Sequence, residues 1–103
     1  MAIRNTELST TPANIYASSG NTVVSTMYFC NHDNTARNLW VWLIPAPGTA
    51  ANTSVLIYNN IQIASGDTYV VDMEKLVLAH DDQIKANISS GTAITATVNY
   101  VGI

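Results

Sequence analysis

The chain has 103 residues, of which 48% are hydrophobic and 11% are charged, and its formal net charge is −3. A chain of this size buries a single core, its hydrophobic content excludes a disordered acidic segment, and the scarcity of Glu, Lys, Arg and Leu excludes a coiled coil. Its four basic residues are scattered along the chain, so we expect no nucleic-acid partner, because phosphate contacts depend on Lys and Arg.

The first twenty residues predict an extended N-terminal arm. Residues 5–21 are rich in Ser, Thr, Asn and Gly, a composition typical of turns and irregular chain. The pattern allows one strand within the arm, at 14–17. We expect residues 2–17 to become ordered when the protein assembles with a partner.

Strands are predicted for the rest of the chain. Ile, Val and Thr total 31 residues against six Leu, and side chains branched at Cβ fit a pleated strand better than a helix. The alternation within residues 22–30 places Val23 and Met27 on one face and Val24 and Tyr28 on the other. Further short strands are predicted at 37–44, 55–58, 61–64, 68–71, 76–79, 84–88 and 93–101.

Turn residues separate these strands at short intervals. Asn59 and Asn60 form a plausible two-residue turn between 55–58 and 61–64, because Asn tolerates a positive φ. Seven to eight short strands with no helical segment between them predict an all-β fold. We expect a single antiparallel β-sandwich, of jelly-roll or immunoglobulin-like type, that forms one domain over residues 1–103.

The acidic and histidine side chains stand singly or in short pairs within predicted turns. We expect Asp67, Asp81 and Asp82 to cap turns rather than to hold calcium, which needs six or more oxygen ligands in one tight loop. His32 and His80 are expected on the solvated surface rather than as metal ligands. We therefore expect no metal and no cofactor.

The sequence offers little for catalysis. Cys30 ends a predicted strand, where a cysteine usually packs as a small apolar residue, and nothing in the pattern orients His32 as its base. The sequence contains no Gly-x-Ser-x-Gly, no Gly-rich phosphate loop and no His-Glu-x-x-His. We therefore expect that the protein is not an enzyme.

The cellular setting is suggested by three simple features. Cys30 is the single cysteine, so no intrachain disulfide can form. No apolar run approaches the roughly 20 residues of a membrane span, and residues 1–7 lack the basic stretch and apolar core of a secretory signal. We expect synthesis in a reducing cytoplasm and no membrane partner.

The segment Trp40-Val41-Trp42 carries large apolar groups on both faces of one predicted strand. If the side chains of Leu39 and Val41 point into the sandwich, those of Trp40, Trp42 and Ile44 point out, a pattern typical of a strand that is covered on both sides. Three covers remain open: the N-terminal arm, a neighbouring subunit, or a sugar stacked on the indole rings.

Packing against a neighbouring subunit is the interpretation that we favour. A sugar platform would normally carry polar side chains beside the rings, and Arg37 and Asn38 are the close candidates. The residues predicted to form the interface are Tyr28, Trp40, Trp42, Ile44, Ile3, Ile15 and Tyr16.

The C-terminal half of the chain resembles a group of known proteins. Leu56-Ile57-Tyr58-Asn59, Asp67-Thr68-Tyr69, Asp82-Gln83-Ile84-Lys85-Ala86 and the closing strand 94–103 resemble small virion proteins of tailed bacteriophages. In that group a strand recurs that ends in Leu-x-x-Gly-Asp-x-Ile-x-Ala. This chain departs from the pattern at Asp81, which stands where Gly is usual, and Asp tolerates a positive φ less well than Gly.

The resemblance implies a structural protein of the virion with a sandwich fold, made in the host cytoplasm and present in many copies. Members of this group attach to the capsid surface or build parts of the tail. From the resemblance and the two-sided strand we expect a capsid decoration (cement) protein that bridges neighbouring capsid subunits as a homo-oligomer, and the usual symmetry of capsid sites suggests a trimer. The major capsid protein or other virion proteins would be its partners. The alternatives are a tail-associated subunit of the tube, adaptor or fibre base, and a carbohydrate-binding module.

Overall fold

The computed structural model describes residues 2–72 and 75–103, which contain nine strands and one short 3-10 helix. The strands are β1 (Ala2–Glu7), β2 (Ala13–Ala17), β3 (Thr22–Asn31), β4 (Arg37–Ile44), β5 (Leu56–Ile63), β6 (Thr68–Val71), β7 (Leu76–Leu78), β8 (Gln83–Ile88) and β9 (Ile94–Gly102). The 3-10 helix, η1, spans Thr53–Val55 and precedes β5.

The strands form two antiparallel sheets that pack face to face. Sheet A has the order β1-β9-β3-β6, and β7 pairs with β3 beside β6. Sheet B has the order β2-β8-β4-β5. This architecture confirms the predicted all-β antiparallel sandwich.

The inner faces of the two sheets bury one hydrophobic core. In β9, Ile94, Ala96 and Val98 are fully buried, whereas the intervening threonines are half-buried on the opposite face. Phe29 of sheet A and Leu39 of sheet B are likewise fully buried within the same cluster. The alternation of apolar and polar residues thus places one row of each strand in the core.

The N-terminal segment is extended, but it is not an arm. β1 pairs with β9 and β2 pairs with β8, so both lie within the sandwich, and Leu8 and Ile15 are 0% exposed. The prediction of a separate arm is therefore wrong over the described residues; Met1 lies outside them. The segment is polar because β1 and β2 are edge strands, and a few apolar residues at their inner positions suffice to anchor them.

Two β-bulges change which side chains point inward. In β3 the register against β9 shifts between Val24 and Thr26, so Val24, which is 2% exposed, joins Met27 in the core. The predicted grouping of Val23 with Met27 is wrong, because a bulge adds one residue and reverses the alternation on one side of it.

The second bulge replaces a predicted turn. β5 runs without reversal from Leu56 to Ile63, and between the pairs Leu39↔Ile61 and Val41↔Tyr58 two residues of β5 oppose one of β4. Asn60 has φ 59°, so the expected tolerance of Asn for a positive φ is used in a bulge and not in a hairpin.

The burial of the N-terminal segment can be tested by truncating its side chains. Leu8→Ala should lower the free energy of unfolding by about 2–5 kcal/mol, because a buried Leu leaves a cavity in the core. Ile3→Ala, on the same segment but 65% exposed, should change it by less than about 0.5 kcal/mol. Urea unfolding measures both; equal, small effects would show that the segment is a detached arm.

Candidate interaction surface

Five of the seven residues predicted as an interface lie either in the core or on the outer side of sheet B. Ile15 and Tyr16 of β2 belong to the core, at 0% and 5% exposed. Trp40, Trp42 and Ile44 pair with the residues of β8 that alternate with its buried row, and they therefore point to the outer side of sheet B. Trp42 is 9% exposed and Ile44 2%, so these two side chains offer almost no surface to a partner.

The chain itself covers this side of β4. After Ile44 the chain folds back in a turn in which the Gly48 N–H donates to the Pro45 carbonyl oxygen over 3.0 Å. A Cβ built on Gly48 would lie 3.4 Å from Cγ2 of Ile44, and η1 lies next to β4. The favoured interpretation, that a neighbouring subunit covers Trp42 and Ile44, is therefore wrong, because both side chains are already buried within the single chain and Gly48 of the β4–β5 connection lies against Ile44.

The candidate sugar contacts beside the tryptophans are already engaged elsewhere. Arg37 Nη2 donates to Asp33 Oδ2, and Asn38 Nδ2 donates to Asn60 Oδ1 over 2.7 Å. The pKa of Asp33 is lowered, first by the hydrogen bond that it accepts from the backbone N–H of Asn34 and further by Arg37. These partners hold both side chains in intramolecular contacts.

The exposed apolar residues gather instead on the outer face of sheet A. Val23 of β3 lies directly between Val77 of β7 and Val101 of β9, and these three valines form one row across the sheet. Val77 is 69% exposed and Val101 36%. We call this surface the A face; its apolar residues are Ile3, Val23, Tyr28, Val70, Val77 and Val101.

Two residues of the predicted interface, Ile3 and Tyr28, belong to the A face. Ile3 pairs with Asn99, and Tyr28 lies in the next row between Thr97 and Val70. Ile3 is 65% exposed and Tyr28 37%. The structure therefore separates these two from Trp40, which points outward from the opposite sheet.

The remaining outward positions of sheet A are polar but uncharged, with one exception. Among the outward-pointing strand residues that the structure describes in this sheet, Glu7 carries the only charge, at one corner. Cys30 is exposed in the same corner, opposite Thr95 and Thr68. The expectation that Cys30 packs as an apolar residue is wrong, because its side of β3 faces outward.

The bulge at Ser25 is the reason why the sequence did not reveal this surface. A regular alternation assigns Val23 to the buried face with Met27, whereas the bulge turns Val23 outward into the row of valines. The Ser25 hydroxyl donates to the Asn99 carbonyl oxygen over 3.3 Å and so ties the bulge to β9. Alternation within β6 and β7 taken alone does place Val70 and Val77 outward.

A groove opens at the end of the sandwich next to the A face. It has a volume of about 390 Å³, and its lining includes Leu43, Val55, Ile57, Val77 and Leu78. Val77 therefore belongs both to the groove and to the A face. The apolar surface thus continues around the β7 edge.

The turn that precedes β8 closes one side of this groove through hydrogen bonds. Asp82 Oδ1 accepts from the Ala46 N–H over 2.8 Å, and its Oδ2 accepts from the Ala79 N–H over 2.9 Å, which confirms the predicted turn cap. Asp81, one residue earlier, has φ 69°. The backbone there has the conformation that favours Gly.

His80 joins this turn to the β2–β3 connection. Its Nδ1 accepts a hydrogen bond of 2.8 Å from the Gly20 N–H, while the side chain remains 67% exposed. The expected surface position of His80 is thus confirmed, and the ring also links two connections. Gly20 has φ 71°, a value that few residues other than Gly adopt.

Comparisons of the chain with protein-family models, with curated proteins and with solved structures find no match. Within residues 2–72 and 75–103, no helix has the length and apolar character needed to cross a membrane. The same stretch holds no group of three or more His, Cys, Asp or Glu side chains placed to share a metal ion.

Because Trp42 is buried and Val77 is exposed, truncating the two side chains should change the stability of the protein by very different amounts. Trp42→Ala should lower the free energy of unfolding of the isolated protein by about 3–5 kcal/mol, because the indole is already buried. Val77→Ala should change it by less than about 0.5 kcal/mol, because this side chain is largely exposed. Urea unfolding measures both changes. A negligible effect of Trp42→Ala would show that the indole is exposed in the isolated protein.

Proposed function

We propose that the protein is a non-enzymatic structural component of a tailed-phage virion, most specifically a capsid decoration (cement) protein. Its A face packs against the major capsid protein or another virion protein, and it acts by bridging neighbouring capsid subunits. The observation that carries the proposal is the concentration of exposed apolar side chains on this one sheet face, whose described outward strand positions are uncharged except for Glu7 at one corner. The proposal needs no cofactor.

The chemistry of the A face suits repeated contacts between many copies. Exposed apolar surface of this kind favours association, because its burial releases water. Thr and Asn residues fill the positions between the valines, and uncharged groups avoid both the desolvation cost of buried charges and repulsion between neighbouring copies. Valine and threonine are stiff at χ1, so little side-chain entropy is lost when they are covered.

The resemblance of residues 56–103 to phage virion proteins supports the choice of partner. The same residues are compatible with a tail-associated subunit of the tube, adaptor or fibre base, which would use the same face. The position of the protein in an image of the particle distinguishes a decoration protein from a tail subunit.

A carbohydrate-binding role has less support from the geometry. Trp42 is 9% exposed, so its ring face is not open for stacking, and Arg37 and Asn38 are held by Asp33 and Asn60. Packing of the indole within the chain accounts for its burial.

The proposal predicts that polar substitutions on the A face weaken attachment without unfolding the protein. The protein is added to particles that were assembled without it. The double variant Tyr28→Ser/Val77→Ser should then occupy at least about tenfold fewer sites than the wild type, because each buried apolar side chain contributes about 1.5–3 kcal/mol. Its circular dichroism spectrum should remain that of the wild type. Cosedimentation with the particles measures the occupancy.

Trp40→Ser is the control, because Trp40 points outward from the other sheet and does not line the groove beside Val77. This variant should attach as the wild type does. Wild-type occupancy by the double variant, or an equal loss in Trp40→Ser, would refute a role for the A face.

A further inference from the structure

Among residues 2–72 and 75–103 the strands give the sandwich four lateral edges, and three of these are interrupted. β6 and β7 pair with different parts of β3 and so form a broken edge of sheet A. In sheet B, β2 carries a register shift between Asn14 and Tyr16, and β5 carries two shifts and the positive φ of Asn60. Bulges and short strands are features that discourage an edge from pairing with another chain.

β1 is the regular edge. It pairs with β9 through six consecutive residues, Ala2 to Glu7, without a register shift. It contains no Pro and no Gly, and on its other side no described strand pairs with it. A regular open edge of this kind is a template for a further strand.

The hydrogen-bond pattern shows which backbone groups face the open side. Leu8, just after β1, donates its N–H to the Ile94 carbonyl oxygen over 2.9 Å. Because the direction of these groups alternates along an antiparallel strand, the N–H and C=O groups of Thr6 and Arg4 also face β9. The N–H and C=O groups of Ile3, Asn5 and Glu7 therefore face away from the sheet.

We propose that a second copy of the chain occupies this edge, with the two β1 strands antiparallel about a two-fold axis at Asn5. In this register Asn5 pairs with the partner's Asn5, and Ile3 pairs with the partner's Glu7. Every outward-facing backbone group of these three residues then has a hydrogen-bond partner, because such opposed residues exchange both of their bonds. The two A faces become neighbouring parts of one continuous sheet surface.

The two neighbouring registers are less favourable. An axis at Arg4 would place two like charges directly opposite each other, which is destabilising. An axis at Thr6 would place Ile3 opposite the partner's Ser9, whose carbonyl oxygen already accepts from the Ile88 N–H within its own chain. The axis at Asn5 avoids both conflicts.

The pairing closes on itself, which favours a second copy over a strand of another protein. An antiparallel strand paired with itself forms an isologous contact, which generates a two-fold dimer. The dimer also leaves no regular edge open. The proposal therefore replaces the expected trimer with a dimer, and it stands independently of the proposed virion function.

The decisive variant is Asn5→Pro. The N–H of Asn5 faces away from β9, so proline there removes a donor at the axis without removing a bond of the β1–β9 ladder. We expect wild-type protein to sediment as a dimer and Asn5→Pro to raise the dimer Kd by at least about tenfold. The control Asn5→Thr keeps the N–H and should remain dimeric. Asn5 Oδ1 accepts a hydrogen bond of 2.8 Å from Thr97 Oγ1, which both Asn5 variants lose, so the monomer of Asn5→Pro should melt at the same temperature as the monomer of the control.

Disulfide trapping tests the register even if Asn5→Pro fails to fold. In the proposed dimer Arg4 lies opposite the partner's Thr6 in a non-hydrogen-bonded pair, about 4.5 Å apart at Cα, within the range of a disulfide. In a Cys30→Ser background, Arg4→Cys/Thr6→Cys should form a covalent dimer on oxidation, whereas Arg4→Cys alone should not. A wild-type protein that remains monomeric, or efficient cross-linking by Arg4→Cys alone, would overturn the proposal.

Discussion

The bulge in β3 determines which side chains the sandwich buries and which it exposes. On the C-terminal side of Ser25 the strand places Met27 and Phe29 inward, and on the N-terminal side the added residue places Val24 inward and Val23 outward. Without the bulge, Val23 would compete for the core and the row that it forms with Val77 and Val101 would be lost. Thus a one-residue irregularity both completes the core and creates the apolar A face.

The two sheets differ in how their outer sides are covered. The outer side of sheet B holds large aromatic residues, and the single chain already buries Trp42 and Ile44 there, with Gly48 of the β4–β5 connection against Ile44. The outer side of sheet A has no such connection packed on it in the described residues, and its apolar groups are smaller and more exposed. The size and hydrophobicity of a side chain do not by themselves predict that it is exposed for interaction. Whether another segment of the same chain packs over the side chain matters more.

Much of the fold could be predicted from the sequence, because strands with one buried face show a two-residue period. The bounds predicted for β4 and β6 agree with the structure, and the inward row of β9 is as expected. The strand predicted at 14–17 is present as β2, whereas β1 was missed because an edge strand needs few apolar residues. The bulges at Ser25 and Asn60 were missed because long-range pairing sets them, and the cover over Ile44 was missed because an irregular connection has no period.

The central claim is that the A face, and not the tryptophan face, meets the partner. A cryo-electron microscopy map of the assembled particle, at a resolution that shows side chains, tests this claim most directly. The account predicts that the row Val77, Val23 and Val101 is buried against another virion protein, while Trp40 faces solvent. A map in which Trp40 is buried against the partner and these valines face solvent would contradict it.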